Sequence, residues 1–113
     1  MSAARVIGLD ELPATATARE LVGADHGGAG VCLIFVDAPP GHGPSLHRHP
    51  YEEIFIVQEG DVLFTVGERT IEAGPGDIIV VPARAPHKFL SRGERHRQLS
   101  IHPAARMETE WLE

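Results

Sequence analysis

The sequence contains a single cysteine, one tryptophan and one tyrosine among its 113 residues. One thiol cannot form an intramolecular disulfide, so no covalent staple supports the fold. Cys32 lies in the apolar run Val31-Cys32-Leu33-Ile34-Phe35-Val36 and reads as a small buried side chain of a strand, without the features of an activated thiol. No apolar stretch approaches the ~20 residues that a bilayer-spanning helix needs, and the N-terminal MSAARVIGLDELPA lacks the apolar centre of a secretory signal. A cytoplasmic location without a membrane partner is therefore expected. Basic residues are scarce as well: ten Lys and Arg against sixteen Asp and Glu leave a net charge of -6. Arg92, Arg95 and Arg97 form no extended basic tract, and an acidic chain repels a phosphate backbone, which argues against a nucleic-acid partner.

What remains is an ordinary globular composition, 42% apolar and 23% charged, in a chain with room for one hydrophobic core. Residues 1–113 are read as a single domain. Strand-length apolar stretches alternate with glycine and proline, and no long helical period takes over, which points to an all-β sandwich or barrel. Strands are expected near 19–22, 31–37, 52–58, 61–66, 70–73, 77–81, 87–91 and 97–102. Hairpin turns are expected at Glu59-Gly60-Asp61, Gly67-Glu68-Arg69 and Gly74-Pro75-Gly76-Asp77. The prolines and glycines of segment 38–44 make it a loop. Segment 23–30 is rich in glycine, but no Gly-Lys-Ser/Thr and no helix follow it, so it reads as a turn and not a phosphate loop.

The informative stretch is Leu46-His47-Arg48-His49-Pro50-Tyr51-Glu52-Glu53-Ile54-Phe55. Side chains alternate along a strand, so His47 and His49 share a face; if the register persists through Pro50, Tyr51, Glu53 and Phe55 share it too. That parity selects Glu53 over Glu52, and a bulge at Pro50 would reverse the choice. Two neutral imidazoles and a carboxylate suit Fe, Mn, Ni, Cu or Zn as divalent ions. His87 is the candidate for a further ligand, because Pro82-Ala83-Arg84-Ala85-Pro86 fixes the chain that enters its strand.

These residues resemble the two sequence motifs of the cupin family. Gly41, His47, His49, Glu53 and Gly60 match the first motif, over 41–60; Gly76, Pro82 and His87 match the second, over 76–91. Arg84 stands where the second motif has glycine and Ser91 where it has asparagine. The resemblance implies a double-stranded β-helix, the cupin jelly-roll barrel, with one divalent transition metal ion per chain held by His47, His49, Glu53 and His87. It further implies a mononuclear metalloenzyme acting on a small organic molecule, of oxygenase (dioxygenase-like), cyclase, lyase or isomerase type. The alternative is a non-catalytic cupin that binds a small ligand around a structural metal. Two-domain branches such as oxalate decarboxylases and seed-storage relatives do not match a chain this short. No catalytic residue beyond the metal ligands is assigned.

Around this centre, Tyr51 and Phe55 are candidates for pocket lining, as are Gln98, Ser100 and His102, which alternate with Leu99 and Ile101. Two placements of that strand stay open: its polar face lines the pocket, or it is solvated with Leu99 and Ile101 turned inward. His42 reads as an exposed loop residue, and His26 and His96 as solvent-exposed turn residues. Trp111, beyond the last expected strand, covers a groove of its own barrel or of a partner's. Apolar residues on both faces of 52–57 and 61–66 also suit a barrel covered from outside, so a homodimer is expected.

Overall fold

Period-two alternation of buried and exposed side chains builds eight strands: β1 (Ala18–Val22), β2 (Cys32–Ala38), β3 (His47–Arg48), β4 (Glu53–Val66), β5 (Arg69–Ala73), β6 (Ile78–Val81), β7 (His87–His102) and β8 (Glu110–Trp111). The computed structural model describes residues 4–113; residues 1–3 of the N-terminal segment lie outside it. Helix among the described residues amounts to two single 3-10 turns, Leu9–Glu11 and Gly23–Asp25. None is long and apolar enough to cross a membrane.

All pairings are antiparallel in one curled sheet. Its path runs β1-β2-β7-β3-β8, and β4 pairs with β7, β5 and β6. The chain thus folds as the expected all-β half-barrel, with Cys32 fully buried at the start of β2.

Two hairpin readings are corrected. Gly74-Pro75-Gly76-Asp77 joins β5 to β6, which pair with successive stretches of β4 and not with each other. Glu59-Gly60-Asp61 is no hairpin: β4 runs without a break through 14 residues, and register shifts against β7 fall between Val57 and Glu59 and between Glu59 and Asp61. The inward positions change from odd (Glu53, Phe55, Val57) to even (Val62, Phe64) across this irregularity, as an inserted residue demands. β7 also changes parity, from His87 and Ser91 to His96, Gln98, Ser100 and His102. Gly60 sits at the crossing of the two bends with φ +90; a Cβ there would lie 2.6 Å from the Arg95 carbonyl oxygen and 2.9 Å from His96 Cα. Only glycine tolerates both the dihedral and the close approach. Because β7 continues through this bend, His96 is not a solvent-exposed turn residue; it is fully buried, on the inward parity of His102.

The core is centred on Phe55, Val57, Val62, Phe64, Ile79 and Val81, with Phe89 packed against it. Arg84, the departure from the motif's glycine, adopts φ 67 in the loop between β6 and β7, and its N–H donates to the His49 carbonyl at 2.8 Å. The left-handed region costs an L-residue about 1–2 kcal/mol, part of which glycine's larger unfolded-state entropy takes back. Arg84→Gly is therefore expected to stabilise the fold by about 0.5–1 kcal/mol, read as a rise of a few degrees in thermal midpoint. An unchanged or lower midpoint would mean that the arginine side chain, which borders the same surface depression as Arg48 and Glu110, contributes at least as much as the strain costs.

Candidate metal centre

The short β3 lies between β7 and β8, with His47 opposite both His87 and Trp111. Alternation turns His47 and His49 inward and Arg48 outward, where its guanidinium meets Glu110 at 2.7 Å. Parity holds through Pro50: Glu53 is buried, whereas Glu52 is exposed. Ligand atoms of His47, His49, Glu53 and His87 all lie within 4.8 Å of one another.

The ring orientations test whether this group fits a metal. Nδ1 of His47 contacts the Ser45 carbonyl at 2.8 Å, Nδ1 of His49 that of Glu108 at 2.8 Å, and Nδ1 of His87 that of Ala85 at 2.9 Å. A carbonyl only accepts, so each Nδ1 carries the proton and each Nε2 presents a lone pair when the ring is neutral. Those Nε2 atoms converge on the Glu53 carboxylate: His49 and His87 stand 3.0 Å and 2.9 Å from its Oε1. Three imidazoles with fixed tautomers around one carboxylate form a donor set that fits a divalent transition metal, with the backbone carbonyls as outer partners.

The other carboxylate oxygen is held by the protein. Ser100 donates to Glu53 Oε2 at 2.5 Å, and His102 Nε2 lies 3.1 Å from it. His102 Nδ1 faces the Tyr51 hydroxyl at 2.7 Å, and that hydroxyl also accepts the Glu108 N–H at 3.3 Å. Burial pushes the Tyr51 phenol up to about 12, so it keeps its proton and donates to His102, leaving the His102 N–H for Glu53. Oε2 is thereby occupied and Oε1 is left for an ion. Burial by itself would raise the Glu53 carboxyl, but the close approach of the His102, His49 and His87 rings outweighs it and holds the group well below the usual carboxylate range. Burial also lowers His47, keeping that ring neutral and able to ligate at neutral pH. Outer partners of this kind are worth 10–100-fold in metal affinity. Tyr51→Phe is therefore expected to weaken zinc binding about tenfold in a chelator competition, with little change in thermal midpoint. Unchanged affinity would show that His102 needs no phenol to hold it.

A cavity of about 430 Å³ opens onto this centre, with His47, His49 and Glu53 in its wall. Of the residues expected to line it, Phe55, Ser100 and His102 do. Tyr51 and Gln98 do not: the former stands behind His102, and the latter is fully buried in the barrel. The polar face of β7 therefore points inward, and Leu99 and Ile101 form the outer face. His42 is exposed, as read, and borders the cavity. Trp111 is 60% exposed, with its ring centroid 5.0 Å from that of His47 and its side chain at the cavity. Ser91, in place of the motif's asparagine, accepts the His42 N–H at 3.0 Å and donates to the Pro39 carbonyl at 2.9 Å, which ties the 39–43 loop to β7. Glu20 also lines the cavity and was missed in sequence, where it reads only as one of two adjacent charged residues, Arg19 and Glu20, in a short strand.

Comparison with known proteins agrees with this architecture. A family model described as a cupin domain matches residues 34–101. An uncharacterised protein of Methanocaldococcus jannaschii is 34% identical over 79 residues, 66% of this chain; the chain spans 63% of that relative's length. Among solved structures, the polyketide cyclase RemF of Streptomyces resistomycificus superposes with a TM-score of 0.78 at 23% identity, covering 98% of this chain and 87% of that one. Bacillus subtilis oxalate decarboxylase, a protein with Mn(II) centres, superposes with a TM-score of 0.77 at 21% identity, over 89% of this chain but only 29% of the decarboxylase. At such identities the structural likeness concerns the fold alone. With the family model matched across both ligand motifs, the chain belongs to the cupin family.

Proposed function

We propose that this cupin is a mononuclear metalloenzyme whose substrate is a small organic molecule. The observation that carries the reading is the shared wall: the cavity reaches the same His47, His49 and Glu53 atoms whose orientations leave donors pointing at one site. Its volume lies within the range of small-molecule sites, roughly 300–1,000 Å³. A divalent ion held there supplies Lewis acidity toward an oxygen of the bound molecule. The chain's own part is to hold Glu53 through Ser100 and His102, to keep the ligand imidazoles in one tautomer, and to exclude water with the apolar walls of Ile34, Val36 and Phe89. Oxygenase, cyclase, lyase and isomerase chemistry all use such a centre, and the metal identity separates them.

The test is elemental analysis of protein purified without chelator or histidine tag, followed by solvent-water relaxation of the Mn(II)-loaded form. About one ion per chain with fast-exchanging water supports the enzyme. A tightly bound ion without exchangeable water favours a structural metal in a ligand-binding module. No ion retained after each candidate is supplied overturns the metal centre.

The same proposal includes a homodimer. The outer face carries two apolar rows across its strands: Leu21, Leu33, Ile101, Ile54 and Val80, and beside them Phe35, Leu99, Ile56 and Ile78. Ile78 and Val80 are 64% and 59% exposed. At about 4.8 Å per strand, five strands and two rows make a patch on the order of 300 Å² in projection, the size of the largest and often functional patch on a typical monomer. Asp37 and Glu52 stand on its rim together with Arg19 and Arg97, so the face is compatible in charge with a second copy of itself across a two-fold axis. Light scattering on size-exclusion eluate is expected to give a dimer for the native chain and a folded monomer for Ile78→Glu. A monomeric native chain at micromolar concentration would overturn the dimer.

A further inference from the structure

We propose that Glu20 selects the substrate by accepting a hydrogen bond from a hydroxyl or amine group at the end of the molecule remote from the metal. This rests on the metal-centre reading above and specifies which small molecules it takes. Glu20 lies on β1, an end strand of the sheet whose one strand partner is β2, and its parity with Ala18 turns it into the cavity that both residues line. Across the sheet it is opposite Ile34, and Ile34 is opposite Ser100, the residue that donates to Glu53. Two inter-strand steps of about 4.8 Å put its backbone roughly 10 Å from that of Ser100. One molecule of a few carbons bridges the two groups.

Among the described residues, the Glu20 side chain makes no hydrogen bond and no ion pair, and no lysine or arginine lines the cavity. Glu53, the other acid in the wall, has one oxygen held by Ser100 and His102 and the other turned to the His49 and His87 rings at the candidate metal position. Around Glu20 the wall is apolar, with Ala18, Ile34 and Val36. A molecule that fills this space displaces water from a carboxylate that has no protein donor, so it must bring a donor or leave the carboxylate unpaired. Sites built on this asymmetry reject analogues that lack the donor much more strongly than they reject a missing methylene. A charge-assisted bond to an amine is the stronger of the two options.

The test uses zinc-loaded full-length chain and three probes sharing one chelating head: hexanohydroxamate, its ω-hydroxy analogue and its ω-amino analogue, with Kd values from titration calorimetry. The native chain is expected to bind the ω-amino probe at least tenfold and the ω-hydroxy probe several-fold tighter than the parent. Glu20→Gln is expected to abolish the amine preference while leaving the parent's Kd and the zinc content unchanged; Glu20→Asp keeps the charge and part of the preference. A purely structural role would shift all three probes together, and that result overturns the proposal, as does the absence of any preference in the native chain. If no probe binds while zinc is held, the open metal centre itself falls, and with it this assignment.

Discussion

Glu53→Ala is expected to purify with almost no bound metal, whereas Glu52→Ala, one residue away, is expected to retain about one ion per chain. The contrast follows from strand parity, which buries Glu53 among His49, His87, Ser100 and His102 and leaves Glu52 in solvent. Removing an outer partner costs 10–100-fold in affinity, and removing the sole anionic ligand costs more than that. The substitution also deletes the acceptor of the buried Ser100 hydroxyl, so the metal-free variant loses stability as well, by about 1–3 kcal/mol for a buried donor left unpaired. Elemental analysis reads the first effect and denaturant unfolding the second. Wild-type metal content in Glu53→Ala would overturn the ligand assignment.

Phe64→Ala is expected to cost about 3–5 kcal/mol, a large share of the 5–15 kcal/mol typical of a domain. Phe64 is fully buried, with ring centroids 5.0 Å from Phe55 and 5.7 Å from Phe89, so truncation opens a cavity where the two halves of β4 and β7 pack. Guanidinium unfolding should show a lower midpoint at an unchanged slope. The effect reaches the metal centre, because Phe55 is two residues from Glu53 and its ring lies 6.1 Å from that of His87. A loss below about 1 kcal/mol would mean that the neighbouring rings close over the gap.

Three members of the candidate ligand group were legible in sequence because their logic is local: His47, His49 and Glu53 lie within seven residues, and strand alternation alone decides which of them share a face. The edges of most strands were legible for the same reason. The bend at Gly60 was not, since glycine between two strand-like runs signals a hairpin and a bulge equally; only the change of inward parity from Val57 to Val62 tells them apart. Misreading that bend and its counterpart in β7 also left His96 outside the barrel. The roles of Glu20 and Trp111 at the cavity were hidden because both lie on edge strands, and which cavity an edge strand borders depends on how the whole sheet curls.

The length of β7 has a further consequence, for folding. Its 16 residues carry His87 at one end and His102 at the other, and both reach Glu53 because β4 and β7 bend together. The contacting residues are 34 positions apart for His87 and Glu53, and 47 for Ser100 and Glu53. Contacts this remote along the chain are formed late and slowly, after large loops have closed. An unfolded or half-paired chain thus offers only the local His47, His49 and Glu53, without His87 and without Ser100 to hold the carboxylate. Metal capture at the proposed centre would then be a checkpoint on completed strand pairing, and an ion that binds only the finished barrel would add its binding free energy to the native state.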